Sequence, residues 1–251
     1  MYKSMIKNAY LALGKDYYLA RKNKSGISYF YNELLEFPTT LSLLEDVKNK
    51  KILDLGCGPG IHAKKLFQKG AQIKGIDISK EFITMARVDA PKIEFKVGDV
   101  EKRLPYKNGE FDIVFASLVM GHLDNWDKAL NEIKRVLKSR GIFIFSNYNP
   151  VTEKFLKKKW FFKSYRELNG YFEEGIKRTN WKAKKEVSSS QIIHYHKTYG
   201  TTIRELVKNG FEIIDYKDCK PSEKARKMFP KEYARSLNYP HFCVWKVRKK
   251  V

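Results

Sequence analysis

The stretch Ile52-Leu53-Asp54-Leu55-Gly56-Cys57-Gly58-Pro59-Gly60 decides the fold class. Its apolar half predicts a β-strand, and its glycine half predicts a tight loop that opens a helix. Gly56 and Gly58 permit positive φ angles and let the backbone approach a ligand closely, while a helix N-terminus offers free N–H groups to a negative group. The dinucleotide pattern G-x-G-x-x-G fails because residue 61 is isoleucine, and the loop lacks the Gly-Lys-Ser/Thr of a phosphate-binding loop.

Short apolar runs and amphipathic stretches alternate from Lys51 to Ser146. Strands are predicted over 51–55, 72–76, 93–97, 111–116 and 142–146, and two more over 211–215 and 242–247. Helices are predicted over 61–69, over 80–88 with Ser79 as the N-cap, over 124–138 with Arg140-Gly141 as the stop, and over 200–208. This alternation predicts an α/β protein with a mostly parallel sheet.

Composition and hydrophobic pattern divide the chain into four parts. Residues 1–48 predict an N-terminal helical cap, in which Pro38 kinks or restarts a helix. Residues 49–150 form the core, and residues 198–251 complete its sheet. Between them, residues 151–197 are basic and aromatic and lack strand alternation, so they predict a helical lid insertion.

Composition sets the class of protein. The chain has 251 residues, of which 43% are hydrophobic, so it can bury a core and is not a wholly disordered chain. No apolar run approaches the roughly 18 residues of a membrane-spanning helix, and we read no signal peptide at the N-terminus. Three widely spaced cysteines, with no CxxC pair, favour a reducing compartment, and we therefore expect a cytoplasmic protein without integral membrane association.

The net charge of +22 is concentrated in the C-terminal part. Residues 1–150 have a net charge of +8, and residues 151–251 have a net charge of +14. Such an excess suits a polyanionic partner such as RNA or an anionic membrane surface. Only 11 of the 50 cations are arginine, however, and a diffuse lysine excess equally fits an ordinary solvated surface.

Two further acids lie where strands are predicted to end. Asp77 follows the second strand, about 20 residues beyond the glycine loop, where a carboxylate accepts hydrogen bonds from ribose hydroxyls. Asp99 follows the third strand, where it can accept from the exocyclic amine of a base. Together with the glycine loop, these acids predict a pocket for an adenosine with an amino-acid tail.

From about Asn32 to Val247, the chain resembles the class I S-adenosylmethionine-dependent methyltransferases, in the small-molecule group that includes the ubiquinone and menaquinone enzymes. The resemblance lies in five segments, which are 54–60, Gly75-Ile76-Asp77-Ile78-Ser79, Gly98-Asp99-Val100, 111–117 with His122, and 137–145. It implies a Rossmann-like sheet of seven strands and S-adenosylmethionine as the cofactor. The cofactor-binding residues that it implies are Asp54, Gly56, Cys57, Gly58, Gly60, Asp77, Ile78, Asp99, Val100, Ser117 and His122.

Single residues leave alternatives open. Asp54 either orders the glycine loop or contacts the cofactor, and Cys57 is expected to act through its backbone rather than as a nucleophile. His122 is our candidate catalytic residue, as a general base near neutral pH, although it also suits a pocket wall or a cofactor contact.

The candidate substrate residues are Tyr29, Tyr148, His194 and His196. His194 and His196 lack a third ligand, so we expect no metal site. The aromatic residues of 151–190 suit either the core of a lid or an apolar acceptor pocket. Lys157-Lys158-Lys159, beside Trp160-Phe161-Phe162, suits either a solvated face or contact with RNA or an anionic membrane.

The expected reaction is an in-line displacement, in which the protein aligns the acceptor with the methyl group and excludes water. A small-molecule acceptor is the first hypothesis, and an RNA acceptor such as tRNA is the alternative. Asn147-Tyr148-Asn149-Pro150 superficially resembles the motif of amino-adenine methylation but follows the wrong strand. The intact glycine loop and Asp77 argue against a catalytically silent binding module. A monomer and a homodimer are both compatible with the sequence.

Overall fold

The computed structural model describes residues 14–160, 163–181 and 190–251. The strands are β1 Lys51–Leu55, β2 Gln72–Asp77, β3 Glu94–Val97, β4 Phe111–Ala116, β5 Leu137–Tyr148, β6 Phe155–Trp160, β7 Lys163–Leu168, β8 Gly175–Trp181, β9 Ser190–His196, β10 Phe211–Asp218 and β11 Phe242–Lys249. Seven of them form one sheet in the order β10-β11-β5-β4-β1-β2-β3. This confirms the predicted α/β class.

Parallel pairing dominates this sheet. β1 pairs in parallel with β2 and β4, β2 with β3, and β4 with β5, whereas β11 is antiparallel to both β5 and β10. Ile52 belongs to one apolar core, and the alternate residues Leu53 and Leu55 belong to a second core on the other face. Because both faces are covered, the central strands consist of nearly continuous apolar residues.

Helices cover the sheet. They are α1 over 14–22, α2 from Gly26–Tyr29 through Phe30–Glu36 to Phe37–Leu44, α3 Ile61–Gln68, α4 Lys80–Asp89, α5 Asp127–Val136, α6 Tyr199–Lys208, α7 Glu223–Met228 and α8 Pro230–Asn238. The predicted cap of α4 is confirmed, since Ser79 Oγ accepts a hydrogen bond of 3.1 Å from the Phe82 amide. Among the described residues, we find no helix with the length and apolar character needed to cross a membrane.

Pro38 has the predicted effect on α2. The segment Phe30–Glu36 has the wider turns of a π-helix, and α-helical geometry resumes at Phe37 with Pro38 in its first turn. Proline lacks the amide that would bond to the preceding turn, so it is tolerated where a helical segment begins.

The helix predicted over 124–138, with Arg140-Gly141 as its stop, corresponds to α5, and this predicted end is wrong. α5 ends at Val136, and β5 begins at Leu137, whose partner in the sheet is Phe111. Arg140 has a φ of +57° and Gly141 lies within the strand. The helical spacing of Leu137 misled the prediction, because its side chain is buried in the same core from a strand.

The prediction of a helical lid over 151–197 is also wrong for the described residues. Apart from a short 3₁₀ turn at Thr152–Lys154, they form two antiparallel hairpins, β6–β7 and β8–β9. Gly175–Trp181 and Ser190–His196 contain the β-branched and aromatic residues that favour strands. Phe172, assigned above to lid core or pocket, is 87% exposed.

Parts of several predictions lie outside the described residues. These parts are the N-terminal residues 1–13 of the helical cap, Phe161 and Phe162, and residues 182–189. The side chains of Lys157, Lys158, Lys159 and Trp160 lie outside them as well.

Candidate active site

A cavity of about 470 Å³ lies at the carboxyl ends of the parallel strands. The segments that follow β1, β2, β3 and β4 line it on one side, and the N-terminal helices α1 and α2 line it on another. This edge of a doubly wound sheet is where ligands bind, because the loops that follow adjacent strands diverge there. Of the eleven predicted cofactor-binding residues, all except Gly60 line the cavity.

The glycine loop after β1 is fixed to the neighbouring strand. The amides of Gly56 and Cys57 both donate to the Ile76 carbonyl, at 2.7 and 3.0 Å. Gly56 has a φ of +72°, and a Cβ atom there would overlap Val119. At Gly58, with a φ of +52°, a Cβ atom would meet nothing within 4 Å. The backbone at Gly58 therefore faces open space with no side chain over it. At Gly56, by contrast, a side chain would clash with Val119, so packing requires glycine there.

Asp54 is the penultimate residue of β1, just before this loop, and it is buried. Its Oδ2 atom has no hydrogen-bond partner among the described residues. Burial, reinforced by the charge of Asp77, raises the pKa of the Asp54 carboxyl to about 8. A cation placed beside this buried carboxyl would stabilise its ionised form.

Asp77 connects the second strand to the glycine loop. Its Oδ2 accepts from the Gly58 amide and its Oδ1 from the Ser79 amide, both at 2.8 Å. Burial raises the pKa of Asp77, although these backbone bonds oppose the shift. Asp77 therefore orders the loop as well as facing the cavity.

His122 lies in a short 3₁₀ turn after β4, and its Nδ1 is 2.8 Å from the Ile193 carbonyl. A carbonyl oxygen only accepts, so Nδ1 carries the proton and the lone pair is on Nε2. Burial lowers the pKa of His122 to about 4. The imidazole is thus neutral at pH 7 and is a weak base.

Tyr148, at the end of β5, is the one predicted substrate residue that lines the cavity. His194 and His196 are buried behind it, and neither lines the cavity. His194 stacks on Tyr148 with ring centroids 4.3 Å apart, and both histidines contact Glu153. Glu153 was not predicted and does line the cavity.

The assignment of Tyr29 to the substrate site is corrected by the structure. Tyr29 is buried in the core, where its ring centroid is 6.4 Å from that of Phe229. Tyr31, two residues further along α2, lines the cavity instead. Residues two apart on a helix point in different directions, so the aromatic pattern alone did not distinguish them.

A second unpredicted group comes from the N-terminal helices. Arg21 of α1 donates to Glu33 Oε1 from Nε at 2.8 Å and from Nη2 at 2.6 Å, to the Tyr17 hydroxyl at 2.6 Å and to His62 Nε2 at 2.8 Å. Tyr17, Arg21 and His62 line the cavity. These residues are too far apart in the sequence to form a local motif, so the sequence did not predict the group. The weak signal available was Arg21 itself, a basic residue beside aromatic residues in a predicted helical segment.

Comparisons with known proteins agree with this geometry. A family model of the methyltransferase domain matches residues 53–145. The chain is 34% identical over 199 residues to an "Uncharacterized protein" of Haemophilus influenzae, covering 72% of this chain and 75% of that protein. It is 28% identical over 205 residues to a ubiquinone biosynthesis O-methyltransferase of Pelagibacter ubique, and the match covers 77% of this chain and 78% of that protein. A solved S-adenosylmethionine-dependent methyltransferase from Mesorhizobium loti has a TM-score of 0.73 at 26% identity, covering 85% of this chain and 97% of that one.

The chain belongs to the class I S-adenosylmethionine-dependent methyltransferases. Methyltransferases of this class use S-adenosylmethionine, and the cavity fits that cofactor in two ways. The unpartnered Asp54 oxygen suits the positive charge of the sulfonium or the ammonium group. The bare backbone at Gly58 leaves room for a ligand to lie against the loop.

Proposed function

We propose that this methyltransferase acts on a small-molecule acceptor. The observation that carries the proposal is the roof of the cavity, in which Tyr17 and Arg21 of α1 and Tyr31 of α2 lie over the strand ends. The volume of the cavity, about 470 Å³, suits a cofactor with a compact acceptor rather than a polymer. The similarity to a ubiquinone biosynthesis O-methyltransferase supports the same choice.

The cofactor contacts follow the order of the strands. Asp54, Gly56, Cys57 and Gly58 hold the methionine part. Asp77 and Ile78 hold the ribose, and Asp99 and Val100 hold the base. Ser117 and His122 lie beside the reactive methyl group, and Gly60 contributes indirectly by opening α3 as its N-cap.

S-adenosylmethionine would supply a methyl group already activated by the sulfonium. A nucleophilic atom of the acceptor would attack the methyl carbon in line, so that the new bond forms as the carbon–sulfur bond breaks and S-adenosylhomocysteine leaves. The protein's part is to align the acceptor and to exclude water. The helical roof and the apolar walls exclude water. His122 is neutral and has its lone pair on Nε2, so it orients an O–H or N–H group of the acceptor. Its low pKa makes it a weak general base.

An RNA acceptor is the second candidate, and the charge favours it. Residues 151–251 have a net charge of +14, and Arg204, Lys208, Arg226 and Lys227 are exposed on α6 and α7. Binding to RNA through such residues would weaken steeply as salt rises, because counterions are released. A flat response to salt would exclude this candidate.

The deciding experiment is transfer of labelled methyl groups from S-adenosylmethionine into a host extract separated into small molecules, lipids, RNA and protein. We expect label in the small-molecule or lipid fraction, and mass spectrometry then identifies the acceptor. Label in RNA would reverse the ranking. The variant Gly58→Val, whose side chain would enter the cavity, is the negative control for transfer catalysed by other proteins in the extract.

A further inference from the structure

The cavity is acidic in a protein that is strongly basic. Five carboxyl residues line it, namely Asp54, Asp77, Asp99, Glu101 and Glu153. Among the described residues that line it, Arg21 is the single lysine or arginine. The net charge of the chain is +22, so the excess of acids is a local property of this site and not of the whole protein. Asp54 is mainly protonated at pH 7 until a cation binds, so the other four acids give the ligand-free site its preference for cations.

Arg21 does not offset this acidity for an incoming anion. Four of its N–H groups already donate to Glu33, Tyr17 and His62, at 2.6 to 2.8 Å. The side chain of Glu33 is 2% exposed and lies within ion-pair distance of Arg21, so the guanidinium is already committed to a buried partner. An acceptor carrying a carboxylate or a phosphate finds no uncommitted lysine or arginine among the described lining residues.

Glu153 is the acid at the acceptor end of the cavity, and it is ionised. Its Oε1 is 2.5 Å from His194 Nε2, and its Oε2 is 2.8 Å from His196 Nδ1. Burial alone would raise the pKa of Glu153, but hydrogen bonds from these two histidines hold it below its ordinary value.

Glu153 lies between the two histidines and the cavity. His196 Nδ1 is 2.8 Å from Glu153 Oε2, and His196 Nε2 is 2.8 Å from the Tyr171 carbonyl oxygen. Both histidines are buried and neither lines the cavity, whereas Glu153 does. The carboxyl group of Glu153 is therefore the part of this cluster that faces the cavity.

Three aromatic rings adjoin this cluster, beginning with Tyr148, which stacks on His194, the partner of Glu153. The ring centroid of Phe242 lies 5.5 Å from that of Tyr148 and 5.8 Å from that of Tyr31, and all three residues line the cavity. Burial and the charge of Glu153 both raise the pKa of Tyr148. Aromatic rings beside a carboxylate are a common arrangement for binding ammonium groups.

We propose that the acceptor carries an ammonium group on an apolar body, and that Glu153 binds this group among the rings of Tyr31, Tyr148 and Phe242. The proposal rests on the proposed small-molecule function and adds the charge of the substrate. It excludes acceptors whose recognition depends on a carboxylate or a phosphate.

Three phenols with different para substituents test the charge preference by calorimetry, with the wild-type protein saturated with S-adenosylhomocysteine. They are tyramine, 4-methylphenol and 4-hydroxyphenylacetate, whose side chains are cationic, neutral and anionic. We expect tyramine to bind at least about tenfold more tightly than 4-hydroxyphenylacetate. Equal affinities, a preference for the anion, tyramine binding no more tightly than 4-methylphenol, or no binding by any of the three would overturn the proposal.

Two variants assign the preference to Glu153. Glu153→Gln removes one charge at the cavity, and Glu173→Gln removes one charge from a side chain that is 82% exposed outside it. We expect Glu153→Gln to weaken tyramine binding by about tenfold and to leave 4-methylphenol binding unchanged, and Glu173→Gln to change neither. An equal effect of the two variants would overturn the assignment. If Glu153→Gln does not fold, the wild-type series still decides the proposal.

The first titration separates the two possible failures. If the wild-type protein does not bind S-adenosylhomocysteine, the proposed function itself fails. If it binds S-adenosylhomocysteine but shows no preference for the cationic phenol, only the inference about the acceptor fails.

Discussion

Replacement of Asp54 by asparagine tests the electrostatic design of the cofactor site. Without cofactor, the pKa of Asp54 is about 8. A bound cation favours the ionised form and lowers this pKa, so binding below pH 8 releases a proton. Affinity for S-adenosylmethionine should therefore rise with pH, by up to about tenfold per unit, and reach a plateau above pH 8. Between pH 6 and pH 8 the gain approaches about 50-fold, or about 2.3 kcal/mol, because half of the Asp54 carboxyl groups are still protonated at pH 8.

The assay is calorimetry at pH 6, 7 and 8 with wild type, Asp54→Asn and Asp112→Asn. The asparagine at position 54 cannot ionise, so its pH slope should be flatter than that of wild type, and titration of the ligand itself cancels in this comparison. Asp112 pairs with Lys138 at 2.6 Å and does not line the cavity, so Asp112→Asn should keep the wild-type slope. A flat wild-type profile, or the same slope in Asp54→Asn, would refute the reasoning.

Three further substitutions probe the loop, the ribose site and the roof. Gly58→Val should abolish cofactor binding by calorimetry but cost only about 1–2 kcal/mol of stability, because its Cβ meets open space at a positive φ, and retained binding would contradict this account. Asp77→Ala should weaken cofactor binding by at least about tenfold, through loss of the ribose acceptor and of the bond to the Gly58 amide, whereas unchanged affinity would disprove the pocket assignment. Arg21→Ala should lower the free energy of unfolding in urea by about 2 kcal/mol, because the buried Glu33 carboxylate loses two hydrogen bonds and keeps the partly exposed Lys65 as an ion-pair partner, while Lys22→Ala on the exposed face should cost less than about 1 kcal/mol. Equal losses in the last pair would show that burial of the Arg21 partner is not the cause.

The cofactor half of the cavity could be predicted because its residues belong to short motifs at strand ends. Asp54, Gly58 and Asp77 each lie within a few residues of a strand whose apolar pattern is clear, and parallel strands bring their carboxyl ends together. The prediction required only local pattern and the topology of an α/β sheet.

The acceptor half could not be predicted in the same way. Arg21, Tyr31, Glu153 and Phe242 come from separate parts of the chain and meet only through tertiary packing. Tyr29 was chosen over Tyr31 because composition does not give the rotation of a helix about its axis. The strand pairs β6–β7 and β8–β9 were missed because their many lysines obscure the alternation expected of strands.

The bonds between the glycine loop and β2 have a kinetic consequence. The amides of Gly56 and Cys57 are tied to the Ile76 carbonyl, and that of Gly58 is tied to Asp77. The loop is thus held as an extension of the sheet before any ligand arrives. Its amide hydrogens should exchange with solvent about as slowly as those of β1 itself. Binding of a ligand should cost little conformational entropy, because the loop is already ordered.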